Sequence, residues 1–287
     1  MKKSYILAIF IFLGKFFFGA TEKEMNILDL DQDEKTGLVY IKDSKKLFTG
    51  IGKTYYDSGK LESIFHFKDG ILEGNGVGYY ESGKIKLTFH YSKGSINGPT
   101  KSYYESGKLE TEKNFIDGKL DGSSKGYYEN TKIAYEENYL NGKLNGNSKF
   151  YYENGNLKAE LFYQNDMLDG AVTEYLEDGQ KKSVSNYKNG KLEGENLSYY
   201  KNGNLYIEAN YINNELDGDI KVYKKNGDLD YIAPYKNGKP LTAKKLKASD
   251  DMVDEISQDL REILGDDIKI TVEEENTLED ENKFSNW

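Results

Sequence analysis

The chain has 287 residues, no cysteine, one tryptophan, 25 tyrosines, 29 glycines and a formal net charge of −10. The missing cysteine excludes disulfides, thiolate metal sites and a lipid-modified N-terminal cysteine. The negative charge is confined to one end: residues 249–287 hold 14 Asp/Glu against 3 Lys/Arg, so the rest is nearly neutral and has no basic footprint of a nucleic-acid binder.

Residues 1–20 read MKKSYILAIFIFLGKFFFGA. Lys2 and Lys3 precede an apolar run from Tyr5 to Leu13, and the small pair Gly19-Ala20 precedes a polar stretch. This is the layout of a secretory signal peptide cleaved near Ala20. The alternative is an uncleaved anchor, which needs about 20 apolar residues and is interrupted by Lys15. The expected product is exported, to the periplasm or the cell surface. Residues 21–36 are expected to be a linker.

From Gly37 to Leu241 the chain repeats itself. One tyrosine recurs every 24 residues, at Tyr55, Tyr79, Tyr103, Tyr127, Tyr151, Tyr175, Tyr199 and Tyr223. A glycine keeps the same period at Gly50, Gly74, Gly98, Gly122, Gly146, Gly170, Gly194 and Gly218. An aromatic column runs Phe67, Tyr91, Phe115, Tyr139, Tyr163, Tyr187, Tyr211, Tyr235. An aliphatic one runs from Leu61 to Leu229, broken only by Lys181. Residues 37–50 form a degenerate leading half-repeat with Phe48 and Gly50 in register. A fixed period of this size is the signature of a repeat array.

Each 24-residue unit carries two turn signals, such as Glu153-Asn154-Gly155-Asn156 and Asp117-Gly118. Asn-Gly and Asp-Gly favour tight hairpin turns because both residues tolerate positive φ. Two turns per unit leave room for two strands of about five to eight residues. The expected fold is therefore all-β: an elongated single antiparallel sheet of tandem β-hairpins, followed by a short C-terminal helix. Alternation places Leu157, Ala159, Leu161 and Tyr163 on one face. The first tyrosine of each pair never varies, which assigns it to the packed face. The second tolerates Leu176 and Lys224, which assigns it to the open face. On this reading Tyr151 is the buried partner and Tyr152 the dispensable one.

The pattern Tyr103-Tyr104-Glu105-Ser106-Gly107-Lys108-Leu109, followed by Phe115-Ile116-Asp117-Gly118-Lys119-Leu120-Asp121-Gly122, resembles the variant MORN repeat, as in bacterial YwqK-like proteins. The resemblance covers about residues 37–241. Departures are Thr131 for a first-turn glycine, Asp166 and Asn214 for second-turn glycines, and Lys181. The resemblance implies an open β-scaffold for interaction. A membrane-recognition role and an antitoxin label also attach to the family, without a residue signature. YD repeats of large bacterial shell proteins share the motif Tyr56-Asp57-Ser58-Gly59-Lys60-Leu61, but lack the second turn element at fixed phase. Choline- or glucan-binding repeats use tryptophan cages, and the only tryptophan here is Trp287.

Catalytic chemistry has no sequence signature here, and no cofactor or metal motif is present. His66 and His90 occupy one repeat position, about 10 Å apart at two strand spacings, and no acidic residue completes a site. The candidate binding stripe is the second-tyrosine column: Tyr56, Tyr80, Tyr104, Tyr128, Tyr152 and Tyr200. Its bland alternative is cross-strand packing that stiffens the sheet. Turn lysines Lys60, Lys84, Lys108 and Lys132 form a basic edge that could meet anionic lipid, though neighbouring carboxylates offset it.

In the tail, Ser249 caps an expected amphipathic helix (249–265) whose stripe is Met252, Ile256, Leu260, Ile263 and Leu264. Its expected role is to cover the open last hairpin near Leu229, Tyr231 and Tyr235, and the alternative is to dock a partner. Residues 266–287 form an acidic tail, with Ile268–Val272 as a possible strand. The function expected from the whole is an exported, non-catalytic scaffold for a protein partner or an envelope surface. Its rivals are an antitoxin-like inhibitor and a carbohydrate-binding module.

Overall fold

A computed structural model describes residues 22–241. The expected signal peptide, C-terminal helix and acidic tail lie outside the described residues.

Residues 146–169 illustrate how one unit folds. Gly146–Tyr151 runs antiparallel to Leu157–Gln164, with Ser148 opposite Leu161, Lys149 opposite Glu160 and Phe150 opposite Ala159. The first turn is closed by the Gly155 N–H donating to the Tyr152 carbonyl and the Tyr152 N–H donating to the Asn156 carbonyl, both at 2.8 Å. A bulge between Phe150 and Tyr151 absorbs the odd residue and pairs Tyr151 with Leu157. Ala159, Leu161 and Tyr163 keep their shared face, but the bulge takes Leu157 out of that alternation.

The second turn consists of two left-handed residues, Asn165 (φ 52°) and Asp166 (φ 68°). This is the mirror-image turn whose twist matches the strands it joins. The chain then pairs back briefly as Met167–Leu168 before the next unit begins at Gly170. That unit bonds to this one, with Ala159 opposite Glu174 and Glu160 opposite Thr173. The same registers recur in every unit, so two long strands from each of eight repeats join one continuous sheet.

A second set of main-chain bonds links the turn tips. The Gly142 N–H donates to Leu120 O (2.7 Å), the Asp166 N–H to Leu144 O (2.9 Å), and the Gly190 N–H to Leu168 O (2.8 Å). The two non-glycine residues at this position repair their own cost. Asp166 Oδ1 accepts from the Leu144 N–H at 2.7 Å, and Asn214 Oδ1 accepts from the Leu192 N–H at 2.6 Å. Thr131, in the first turn, sits at φ 71° with a β-branched side chain, for which that region is strongly unfavourable.

The N-terminal side departs from expectation. Where a linker is expected, Glu24–Asn26 pairs in parallel with Gly50–Tyr55, and Lys53 forms an ion pair with Glu24. The sheet is therefore mixed rather than purely antiparallel. Leu30–Gln32 and Val39–Ile41 form a separate two-stranded sheet, so the sheet is not single either. Phe48 is fully buried and packs on Phe67 at 5.5 Å between ring centroids. These residues cover the first edge of the array, and an uncovered edge invites pairing with another chain.

At the other edge, Leu229–Lys236 pairs with the two-residue strand Lys239–Pro240. Pro234 and Pro240 withhold two N–H groups there, which blunts that edge.

Thr131→Gly is expected to raise stability by about 0.5–1 kcal/mol, because relief of left-handed strain exceeds the added flexibility of the unfolded chain. A thermal melt in which the variant equals or falls below the parent contradicts this account.

Candidate binding surface

The sheet has two chemically different faces. The inner face carries Ser124, Gly126 and Ser148, all buried, together with the aromatic column at Phe67, Tyr91 and Tyr139. Small residues are needed beneath the rings. A Cβ at Gly126 would lie 2.1 Å from the Tyr135 ring, and one at Gly76 would lie 1.9 Å from the Phe89 ring. Aromatic side chains thus lie across glycines on the neighbouring strand.

The outer face carries an alternating charge ladder along its midline. Lys101, Glu112, Lys125, Glu136, Lys149 and Glu160 are each cross-strand neighbours of the next. Ion pairs close within repeats: Lys101–Glu112 at 2.9 Å, Lys125–Glu136 at 2.8 Å and Lys149–Glu160 at 2.9 Å. Lys221 pairs with Glu208 at 2.6 Å. Hydrogen bonding to Lys125 holds the Glu136 carboxyl below its ordinary range, and the Tyr151 hydroxyl lowers it further. Lys221 and then Tyr223 do the same for Glu208. Exposed pairs of this kind add little individually, but they satisfy the face's own charge.

The first-tyrosine column belongs to this outer face, which reverses the expected assignment. The Tyr151 hydroxyl donates to Glu136 and that of Tyr223 to Glu208, both at 3.0 Å, and Tyr55 is 44% exposed. Its invariance reflects a fixed place beside the ladder, not burial in a core.

The second-tyrosine column points inward and acts as a latch. Each hydroxyl donates to the main-chain carbonyl of the first tyrosine in the next repeat. Tyr56 reaches Tyr79 O, Tyr80 reaches Tyr103 O, Tyr104 reaches Tyr127 O and Tyr128 reaches Tyr151 O, all at 2.6 Å. Tyr152 reaches Tyr175 O at 2.8 Å and Tyr200 reaches Tyr223 O at 2.7 Å. The candidate stripe therefore has its polar tips occupied by the fold and offers a ligand only its rings. Leu176 interrupts the series because a leucine has no hydroxyl to donate. Lys224 stands in the last repeat, where no further repeat waits to be latched.

The turn lysines are also drawn into the array. Lys84 Nζ donates to Glu105 O at 2.8 Å, Lys108 Nζ to Glu129 O at 2.7 Å, and Lys132 to Asn154 O. The basic edge is to that extent spent on joining repeats. His66 Nδ1 lies 2.5 Å from Asn75 O and His90 Nδ1 lies 2.8 Å from Asn75 Oδ1, so both imidazoles converge on one asparagine. Among the described residues, no three His, Asp or Glu side chains cluster as metal ligands.

An open cleft of about 310 Å³ lies on the inner face of the first two repeats, lined by Tyr56, Phe65, Leu87, Phe89, Tyr91 and Ile96 with Glu62 and Lys86 at its margin. Such a volume is at the bottom of the range for small-molecule sites. The cleft was not legible from the repeat pattern, because Phe65 and Leu87 stand in columns that vary from unit to unit. The signal available was the pair Phe65 and Phe89, one period apart.

These features define a tandem β-hairpin ribbon with an inner face of rings over small residues and an outer face of paired charges. The chain belongs to the MORN repeat variant family, whose model matches residues 48–69, 72–93, 96–117, 120–141, 144–165, 168–189, 192–213 and 216–237. Repeats of this family are commonly binding modules and generally not catalytic. No curated protein matches the chain. Among solved structures, a GtfA/B complex bound to UDP and GlcNAc is similar over 37% of this chain and 21% of that one, at 12% identity and a TM-score of 0.17. TcdB2-TccC3-TEV is similar over 70% of this chain and 15% of that one, at 10% identity and a TM-score of 0.20. A Tc holotoxin pore of Photorhabdus luminescens is similar over 72% of this chain and 14% of that one, at 11% identity and a TM-score of 0.17. The chain thus spans a small fraction of each, and scores this low carry no argument.

Two outcomes are expected from the latch and the ladder. Tyr128→Phe is expected to cost about 1 kcal/mol, whereas Tyr127→Phe, which removes no hydrogen bond, is close to neutral. Equal shifts in urea midpoint contradict the latch. Glu136 and Glu208 have depressed folded pKa values, so their contribution is complete above about pH 4.3 and is lost as pH falls through the folded value. The double variant Glu136→Gln with Glu208→Gln should therefore lose less melting temperature than the parent between pH 5 and pH 3.

Proposed function

We propose that the chain is an exported, non-catalytic scaffold that binds a protein partner through the inner face of its first repeats. The observation that carries this reading is the open aromatic cleft formed by Tyr56, Phe65, Phe89 and Tyr91. The outer face satisfies its own charges by ion pairing. The inner face of the first repeats keeps half-buried rings such as Phe65 and Tyr91 within reach of a partner. Rigid aromatic rings supply large contact area at low entropic cost, which suits protein recognition. Two repeats of strict register present the rings on one rigid sheet, so little ordering is needed on binding. Export rests on the N-terminal layout of residues 1–20.

A photo-crosslinking residue placed at the half-buried Phe65 in the full chain tests the surface inside cells. A discrete crosslinked protein band from position 65, weaker or missing from Lys125 on the outer face, is the expected result. Equal labelling from both positions removes the inner-face assignment. Fractionation of the same cells tests export: an unprocessed chain starting at Met1 in the cytosol ends that part of the reading.

A further inference from the structure

The last two repeats differ from the rest on the inner face. Ile207, Ala209, Ile220, Val222 and Ala233 form one apolar patch. Upstream the same columns hold Thr100, Ser124 and Ser148, or Lys113, Glu137 and Ser185. The five patch residues are between 0% and 3% exposed. Upstream, small polar residues beneath neighbouring rings are as deeply buried, as at Ser124 and Ser148, but the apolar Ala159, Leu161 and Val172, on equivalent columns, are only half-buried. Substantial contacts among the described elements run only between neighbours along the sheet, so no described strand or helix lies over the patch.

We propose that residues 249–264 of the same chain dock as an amphipathic helix across this patch. The chain leaves the array beside it: the Leu241 N–H donates to the Pro234 carbonyl at 2.8 Å, and Pro234 follows Ala233 of the patch. Residues 242–248 then reach at most about 25 Å, which is ample to return onto the sheet. Sixteen helical residues are about 24 Å long. The four strands from Gly194–Tyr199 to Leu229–Lys236 span about 15 Å between their axes. Met252, Ile256, Leu260 and Ile263 recur at helical spacing and give the segment one apolar stripe. Asp250, Asp254 and Glu255 lie away from that stripe and Asp259 at its margin, while Lys201, Lys224 and Lys225 stand exposed on turns of the last two repeats. Apolar and charged surfaces are therefore complementary together.

On this proposal the helix lies across the face of the last two repeats, beside the Tyr231 and Tyr235 that pack against the patch. Occupation of the last repeats also leaves the inner face of the first repeats as the part free for a partner.

The chain contains no cysteine, so introduced pairs report cleanly. Val222→Cys with Ile256→Cys in the full chain should form an intramolecular disulfide under mild oxidation. Leu197→Cys with Ile256→Cys, its first cysteine on the outer face, should not. Disulfide-linked dimers alone mean that a second copy fills the patch, and equal or no bridging in both pairs means that residue 256 does not reside there; either result overturns the proposal. As a second readout free of cysteine, Ile256→Asp should raise binding of a hydrophobic dye severalfold over Gln258→Asp, which alters the opposite side of the same segment. No difference between those two variants also overturns it.

Discussion

The structure depends on one constraint: adjacent hairpins must meet in register. Backbone pairing sets two strands per unit, and a period of two residues means that a slip of one position would turn every side chain to the wrong face. The unchanging 24-residue interval is the sequence-level consequence. It lets the same contacts form at every joint, including the tip-to-tip bonds such as Gly142 to Leu120 and the latch from Tyr128 to Tyr151. Stability in such an array accumulates joint by joint rather than in a central core. That is why isolated departures such as Leu176 and Lys181 are tolerated: each weakens one joint and leaves the rest intact.

The two faces solve different problems. On the outer face, lysines and glutamates alternate along the midline and neutralise one another, flanked by tyrosines that bond to the glutamates. On the inner face, small residues lie beneath rings, and apolar content varies along the array. It is aromatic and open in the first repeats, mixed in the middle and fully buried at the end. A one-layer sheet is thereby divided into regions by side-chain choice alone, with the backbone unchanged.

The ends follow a different logic from the middle. The first edge strand is covered by Glu24–Asn26, and Phe48 is buried against Phe67. Neither feature obeys the 24-residue period beyond Phe48 and Gly50, because a cap has to satisfy only one side of a repeat. Among the described residues, the last edge carries only the two-residue strand Lys239–Pro240 and is blunted by Pro234 and Pro240.

The sequence by itself determined the repeat count, the hairpin in each unit, both turn positions and the family. These depend on local properties: positive-φ residues at turns and alternation along strands. It also marked the residues that matter, since every Tyr-Tyr pair is visible in it. Only the tertiary structure decided which tyrosine does what. The bulge beside Tyr151 shifts the alternation, so the invariant tyrosine faces the charges and the variable one reaches the next repeat's backbone. Invariance and burial are different properties, and a contact 23 residues away leaves no mark in local periodicity. The ordered N-terminal cap was equally hidden, because the parallel pairing of Glu24–Asn26 depends on an edge that exists only once the array has folded.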